Sequence, residues 1–248
     1  MSVSSNSIIH YTDRLENITG IIREGFRIKY CSERITTRGG QKYEKAFPMV
    51  CFCDLPLTHS LNHIKQYGCY GIGLSKKWAS RNGINPVQYI ESNSHIGSAL
   101  RHALNYVDTI RKETETYGSD TANLAENIET IIMNSKNYKG DFVRQGVEYR
   151  DYKFYDEREW RYILSKKAHK NIPLIIGLEE YNAGKASFND RLNGIRLRFS
   201  SDDISYIIVN DETETGTIIN AMREHYGPDY DDRLASCIKT VRQIREDF

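Results

Sequence analysis

Two cysteines and two histidines lie close together in the sequence and could bind a zinc ion. Cys51 and Cys53 would share one face of a β-strand, and His59 and His63 would share one face of a helix. Structural zinc sites usually use Cys-x-x-Cys knuckles, and a Cys-x-Cys pair in a strand more often packs in a core. We therefore favour packing for this group and expect no metal.

A pair of carboxylates, Glu157 and Glu159, offers a second kind of chemistry. They lie on either side of Arg158 at the start of a predicted strand, and five charged residues occur between Asp156 and Arg161. Two carboxylates at this spacing could act in acid–base catalysis. They could equally form a solvated edge that pairs with the neighbouring arginines and adds little stability. The sequence leaves both interpretations open.

Basic residues cluster between Arg34 and Lys45, where the polar composition and Gly39-Gly40 predict a mobile loop. Together with Tyr43, this cluster could contact a nucleic acid through its charges and through stacking. A solvated loop without a ligand is the favoured interpretation.

The elements that position these residues begin with a strand ending at His10-Tyr11-Thr12. Asp13 is the predicted N-cap of an amphipathic helix that ends at Gly25. The next predicted elements are a strand at Met49–Cys53, a helix at Thr58–Tyr67, a strand at Tyr70–Leu74, a short helix capped by Ser75, and a strand at Pro86–Ile90.

A helical insertion is predicted at about residues 94–140, as two apolar stripes separated by the polar residues 112–121. The later predicted strands are 159–164, 172–176, 194–199 and 204–209, and the later predicted helices are 215–226 and 233–245. Strands cluster on both sides of the insertion instead of alternating regularly with helices. We therefore predict a single α+β domain over residues 1–248.

The composition limits the classes of function. Lys and Arg number 34 against 33 Asp and Glu, so the formal charge of +1 creates no global field toward nucleic acid or membranes. No signal peptide is visible, and no apolar run approaches the ~18–20 residues of a membrane helix. Five irregularly spaced cysteines do not form a secreted disulfide framework. We expect a cytoplasmic protein with reduced thiols and no membrane partner.

The segments "LENITGIIREGF", "MVCFCDLPL", "HIKQYGCYGIGLSKKWA" and "NPVQYI" resemble the AbiGi family of abortive-infection proteins in their order and spacing. The later "FYDEREWRYI" extends the likeness to a wider set of bacterial proteins. The resemblance implies a role in phage defence within a toxin–antitoxin pair, and hence a cognate toxin or antitoxin partner. It specifies no chemistry.

A more distant likeness does imply chemistry. A His-x-Thr that ends the first strand, followed by "IIREGF", is similar to the start of DarT-type and other ADP-ribosyltransferases. That likeness implies a split β-sheet core with NAD as substrate. It implies NAD contacts from the opening strand and from the "QYGCYGIGLS" segment, where the equivalent tyrosine is not fixed. The residues assigned to NAD are His10, Tyr11, Thr12, Tyr67, Tyr70 and Ser75.

In such enzymes a carboxylate stabilises the oxocarbenium-like sugar, and a second can deprotonate the acceptor. Glu159 and Glu157 are the matching candidates, while His10 could instead be a structural histidine. The resulting hypothesis is a mono-ADP-ribosyltransferase that modifies RNA, single-stranded DNA or a protein. The alternative is a non-catalytic antitoxin or sensor that binds a partner protein. A metal-dependent nuclease is the third and weakest hypothesis.

Overall fold

The computed structural model describes residues 4–112, 119–144, 146–165, 169 and 171–246. Its strands are β1 (Ser7–Thr12), β2 (Phe26–Arg27), β3 (Lys29–Thr36), β4 (Lys42–Cys53), β5 (Tyr70–Ser75), β6 (Asn85–Pro86), β7 (Gln88–Ile90), β8 (Ser135–Asn137), β9 (Gly140–Arg144), β10 (Val147–Tyr152), β11 (Glu159–Ile163), β12 (Ile176–Gly177), β13 (Arg196–Leu197), β14 (Ile204–Val209) and β15 (Ile238–Thr240). Its helices are α1 (Leu15–Glu24), α2 (Leu61–Tyr67), α3 (Lys76–Arg81), α4 (His95–Lys112), α5 (Ser119–Met133), α6 (Leu178–Asp190), α7 (Thr215–Tyr226), α8 (Asp232–Ser236) and α9 (Val241–Glu246). The predicted α+β class is confirmed.

The main sheet has the strand order β15-β14-β5-β1-β4-β11-β6, and β3 and β12 also pair with β4. The β1 and β5 strands pair along their whole length, from Ser7 opposite Ser75 to Thr12 opposite Tyr70. In contrast, β1 and β4 pair at one position, Ile9 opposite Cys53. The sheet is therefore joined weakly at its centre, between β1 and β4.

The two faces of the sheet carry separate apolar clusters because successive strand residues point to opposite sides. Ile8, Phe52 and Trp78 belong to the larger cluster, which α1, α3 and α7 cover. Ile9 and Cys53 belong to the other, beneath α2 and α9. Neighbouring residues of β1 and β4 therefore face different surroundings.

The predicted mobile loop at Arg34–Lys45 is wrong. Most of this segment forms the β3–β4 hairpin, which pairs from Lys29 opposite Met49 to Thr36 opposite Lys42. Ile35 and Tyr43 are buried on one face, which also carries Glu33 and Lys45, and Arg34 Nε lies 2.5 Å from Glu44 Oε1 on the other face. Charged residues lie on both faces and hid the period-two pattern of a half-buried strand.

The C-terminal prediction is also wrong in part. The expected helix at 233–245 is interrupted by β15, which pairs in parallel with β14 and so extends the sheet by one edge strand. The strands expected at 172–176 and 194–199 shrink to the two-residue β12 and β13, and α6 was not predicted. At the first helix the N-cap is Arg14 instead of Asp13.

The predicted helical insertion is present as α4 and α5, which contact each other through Val107, Ile110 and Ala125. The residues that link the two helices, 113–118, lie outside the described part of the chain. The insertion leaves the fold at β7 and returns at β8, and these two strands pair in parallel from Gln88 opposite Ser135 to Ile90 opposite Asn137. Within the described residues, no helix has the length and apolar character needed to cross a lipid bilayer.

Asn137 fixes β8 to the edge of β3. Its Nδ2 donates to the Thr36 carbonyl oxygen at 2.8 Å and to Ser92 Oγ at 3.0 Å, and its Oδ1 accepts from the Thr36 amide at 2.7 Å. The Asn137 side chain thus makes the hydrogen bonds to Thr36 that a neighbouring strand would otherwise make. It also holds the preceding residue, Lys136, against the sheet.

Replacing this amide should destabilise the protein. We expect Asn137→Ala to lower the free energy of unfolding by about 2 kcal/mol, because it leaves a half-buried backbone donor and acceptor of Thr36 unpaired. Urea denaturation measures the change. The matched control is Asn105→Ala, which removes an exposed amide bonded to Gln41 and should cost less than about 0.5 kcal/mol. Equal losses in the two variants would contradict the bracing role of Asn137.

Candidate functional site

A pocket of about 800 Å³ opens where β1 and β4 separate. Its floor comes from β1, β4 and β11, one wall from β3 and β8, and its rim from the β9–β10 hairpin. The polar and charged side chains that line it are His10, Tyr11, Cys31, Ser32, Glu33, Arg34, Thr36, Cys51, Cys53, His63, Tyr67, Lys136, Asn137, Asp141, Glu148, Glu157 and Glu159.

A buried arginine lies behind the glutamates that line this pocket. The Arg161 side chain has no exposed surface, and it lies between two carboxylates, with Nε 2.6 Å from Glu159 Oε1 and Nη2 3.0 Å from Glu33 Oε1. Its Nη1 donates to the Met133 carbonyl oxygen at 2.9 Å. The guanidinium therefore joins β11, β3 and the end of α5.

A buried lysine joins the two predicted catalytic carboxylates. Lys136 Nζ lies 2.8 Å from Glu157 Oε2 and 2.9 Å from Glu159 Oε2. Tyr67 donates its hydroxyl to Glu157 Oε1 at 2.5 Å, and its ring stacks on His63 with 4.8 Å between the ring centres. Both oxygens of each carboxylate are thus engaged by protein donors.

The charges of this cluster stabilise one another. Burial alone would raise the pKa of Glu159, but the charges and hydrogen bonds of Arg161 and Lys136 outweigh it and hold that pKa well below its usual range. Burial would likewise lower the pKa of Lys136, and the surrounding carboxylates instead raise it. Glu159 and Lys136 therefore stay charged at neutral pH.

The structure brings some of the predicted residues to this pocket. Glu157, Glu159, Tyr67 and Tyr11 line it on one face of the sheet, the face to which Ile9 and Cys53 also point. His10 contributes to the wall from the opposite face. Its Nδ1 donates to the Cys51 carbonyl oxygen at 2.8 Å, and its ring contacts Phe26 and Phe52 edge-on. Burial lowers the pKa of His10.

Three other predicted residues lie away from the pocket. The Tyr70 hydroxyl donates to Glu214 Oε1 at 2.7 Å. Thr12 accepts a hydrogen bond from Asn17 Nδ2 at 2.7 Å. Ser75 caps α3, as the sequence predicted, by accepting from the Trp78 amide at 3.2 Å. Of the two tyrosines that the sequence left undecided, Tyr67 is the one beside the carboxylates.

The cysteine and histidine group is divided. Cys51, Cys53 and His63 line the pocket, while His59 is exposed and contacts Thr58 Oγ1 through Nδ1 at 2.8 Å. Among the described residues, no group of three or more His, Cys, Asp or Glu side chains is arranged to hold a metal ion. Burial raises the pKa of Cys53 and favours its thiol form.

Sequence analysis missed the partners of the two glutamates. Arg161 follows Glu159 at the two-residue spacing that puts both on one strand face, and this signal could have paired them inside the protein. Lys136 and Glu33 carry no such signal, because they come from distant segments that only the folded hairpin and the helical insertion bring together.

The β9–β10 hairpin that rims the pocket is held by aromatic rings. Phe142 stacks on Tyr149, with 4.8 Å between ring centres and 13° between planes, and it contacts Tyr152 and Phe154 at 5.0 and 5.4 Å. Tyr152 ties the hairpin to α2 through its hydroxyl, which lies 3.1 Å from Gln66 Oε1. Phe142 and Phe154 present carbon surface to the pocket.

Comparison with known proteins gives one family. Residues 24–210 match the family described as "Putative abortive phage resistance protein AbiGi, antitoxin". The abortive phage resistance protein AbiGi of Lactococcus lactis subsp. cremoris is 30% identical over 223 residues, which cover 81% of this chain and 88% of the relative. No solved structure matches the chain.

Removing the buried lysine should destabilise the protein in a pH-dependent way. We expect Lys136→Met to lower the free energy of unfolding by about 3 kcal/mol at pH 7, because it leaves two carboxylates buried beside each other. The loss should shrink toward pH 5, since one proton bound by the carboxylate pair relieves their repulsion in the variant.

The free energy of unfolding of the wild type should instead decrease as the pH falls. The folded-state pKa of Glu159 is depressed, so its stabilising contribution is present above the unfolded pKa of about 4.3 and is lost as the pH falls further. Urea denaturation at several pH values measures both trends. The control, Lys139→Met, breaks an exposed pair with Asp151 and should change stability by less than about 0.5 kcal/mol. A pH-independent loss in Lys136→Met would refute the charge assignment.

Proposed function

The chain belongs to the AbiGi family of abortive phage resistance proteins, and we propose that it acts in phage defence by binding a partner protein, as an antitoxin or sensor. The description of its family as an antitoxin supports a cognate toxin as that partner. The pocket beside β4 and β11 is the surface at which we place recognition.

The observation that carries this proposal is that protein donors already bind both carboxylates, Glu157 and Glu159. A general base must take a proton from the substrate, and a carboxylate that buried cations hold ionised takes one less readily. Here Lys136, Arg161 and Tyr67 occupy the oxygens of both carboxylates. Such carboxylates are suited to holding a structure together and to attracting a partner's positive charge.

The positions of His10 and Tyr70 support the same proposal. In an ADP-ribosyltransferase these two side chains and the carboxylate would act on one NAD molecule. The His10 ring is directed to the sheet face opposite Glu159 and is held by the Cys51 carbonyl group, and the Tyr70 hydroxyl bonds to Glu214.

NAD-dependent mono-ADP-ribosylation is the second candidate function, and the opening between β1 and β4 favours it. A sheet that separates at its centre is the feature that an ADP-ribosyltransferase-like core would share, and about 800 Å³ is adequate for a dinucleotide. Glu159 would then stabilise the sugar cation and Glu157 would activate an RNA, single-stranded DNA or protein acceptor. This role requires Lys136 to release the carboxylates.

Expression tests the partner-binding proposal. We expect the protein to leave cell growth unchanged when expressed alone, and to restore growth when co-expressed with a toxic product of the adjacent gene. Co-purification should recover both proteins as one complex. Growth arrest by this chain alone, with no complex formed, would overturn the proposal.

Radiolabelled NAD separates the two candidates. On the binding proposal, wild type and Glu159→Gln should both leave NAD intact and transfer no label to RNA, single-stranded DNA or cell lysate. Glu212→Gln, which alters an exposed carboxylate paired with Arg242, is the matched control. Label transferred by wild type and by Glu212→Gln, but not by folded Glu159→Gln, would establish the transferase instead.

A further inference from the structure

The buried cluster beside the pocket has one negative charge in excess. Its members are three carboxylates, Glu33, Glu157 and Glu159, and two cations, Lys136 and Arg161. Their side chains are at most 14% exposed. An uncompensated charge at such a depth is costly, and a positive group entering from the pocket would offset it.

The rim adds to this negative field. Asp141 lines the pocket from the β9–β10 hairpin, and Glu148 lines it as well and is paired with Arg150 at 3.2 Å. The lining cation Arg34 is already paired with Glu44 across the β3–β4 hairpin. Charges of one sign that line a cleft with low-dielectric walls concentrate ions of the other sign. The pocket should therefore attract cations and repel anions.

Aromatic rings in the same walls favour an organic cation over a metal ion. Lys136 Nζ lies 4.8 Å from the centre of the Phe154 ring, so a positive group already lies over an aromatic face in this wall. Phe142 lines the pocket beside it. A flat cation could stack on such rings while its N–H groups reach carboxylates, as a guanidinium does.

We propose that the pocket receives the guanidinium group of an arginine side chain presented by the partner protein. This inference rests on the proposed partner-binding function and names the chemical group recognised. The guanidinium stacks on the aromatic wall, donates hydrogen bonds to carboxylates on the Glu33 side of the pocket, and neutralises the excess charge of the cluster.

Calorimetric titration with two small probes tests the proposal. N-acetyl-arginine methylamide and N-acetyl-citrulline methylamide have nearly the same shape, and only the first is charged. We expect the arginine probe to bind wild type at least about tenfold more tightly than the citrulline probe, the difference that one favourable charge interaction near a protein surface provides.

Variants locate the binding. Glu33→Gln should weaken binding of the arginine probe by about tenfold. It removes the excess negative charge and only replaces one carboxylate oxygen with an amide nitrogen. Glu148→Gln, at the exposed rim, should weaken binding of the arginine probe about twofold to threefold. This variant also tests the negative field of the pocket if Glu33→Gln fails to fold. Glu212→Gln lies outside the pocket lining and should bind as wild type does.

Three results would overturn the assignment. They are equal affinity for the two probes, no binding of the arginine probe at millimolar concentration, and tighter binding of the 1-methylnicotinamide cation than of the arginine probe. The last would assign the pocket to a pyridinium ring. If the probes fail while the protein still neutralises its toxin, the guanidinium inference fails and the proposed function stands. If the arginine probe binds as expected while no toxin is captured, the cation site is supported and the partner role fails.

Discussion

The complete burial of the Arg161 guanidinium is the constraint on which this structure depends. A guanidinium cannot lose its proton in a protein, so burying it demands acceptors and negative charge on several sides. Glu159 supplies both from the same strand, Glu33 comes from the β3–β4 hairpin, and the Met133 carbonyl group comes from the end of α5. Three segments distant in the chain must therefore meet at one point before the charge can be buried.

That requirement couples the helical insertion to the pocket. The insertion returns to the sheet through β8, whose Asn137 replaces a neighbouring strand for Thr36 and whose Lys136 enters the cluster. A displacement of α4 and α5 would draw Lys136 away from Glu157 and Glu159 and change the field in the pocket. The insertion is thus part of the site through electrostatics as well as through its position in the chain.

The sequence predicted elements whose pattern is local and whose ends are marked. The strand Ile204–Val209 and the helix Thr215–Tyr226 match their predicted bounds. Sequence analysis missed the β3–β4 hairpin because charged residues lie on both of its faces and interrupt the apolar–polar alternation of its strands. It singled out Glu159 as a catalytic candidate, which stays a prediction, and it could not find Lys136, since long-range pairing leaves no trace in spacing. The single-domain organisation over residues 1–248 stays a prediction.

A catalytic motif found in the sequence specifies residue types, but it does not determine to which face of the sheet each side chain points. Ile9 pairs with Cys53, and Cys53 pairs with Glu159, so His10 must point to the other face of the sheet. A one-residue shift in the pairing of β1 with β4 would reverse that outcome without changing the motif. A carboxylate that buried cations hold ionised is a weak base, but its charge still acts through the pocket. Binding of a positively charged group in the pocket uses that charge directly. For this reason such binding fits the geometry better than proton transfer to Glu157 or Glu159.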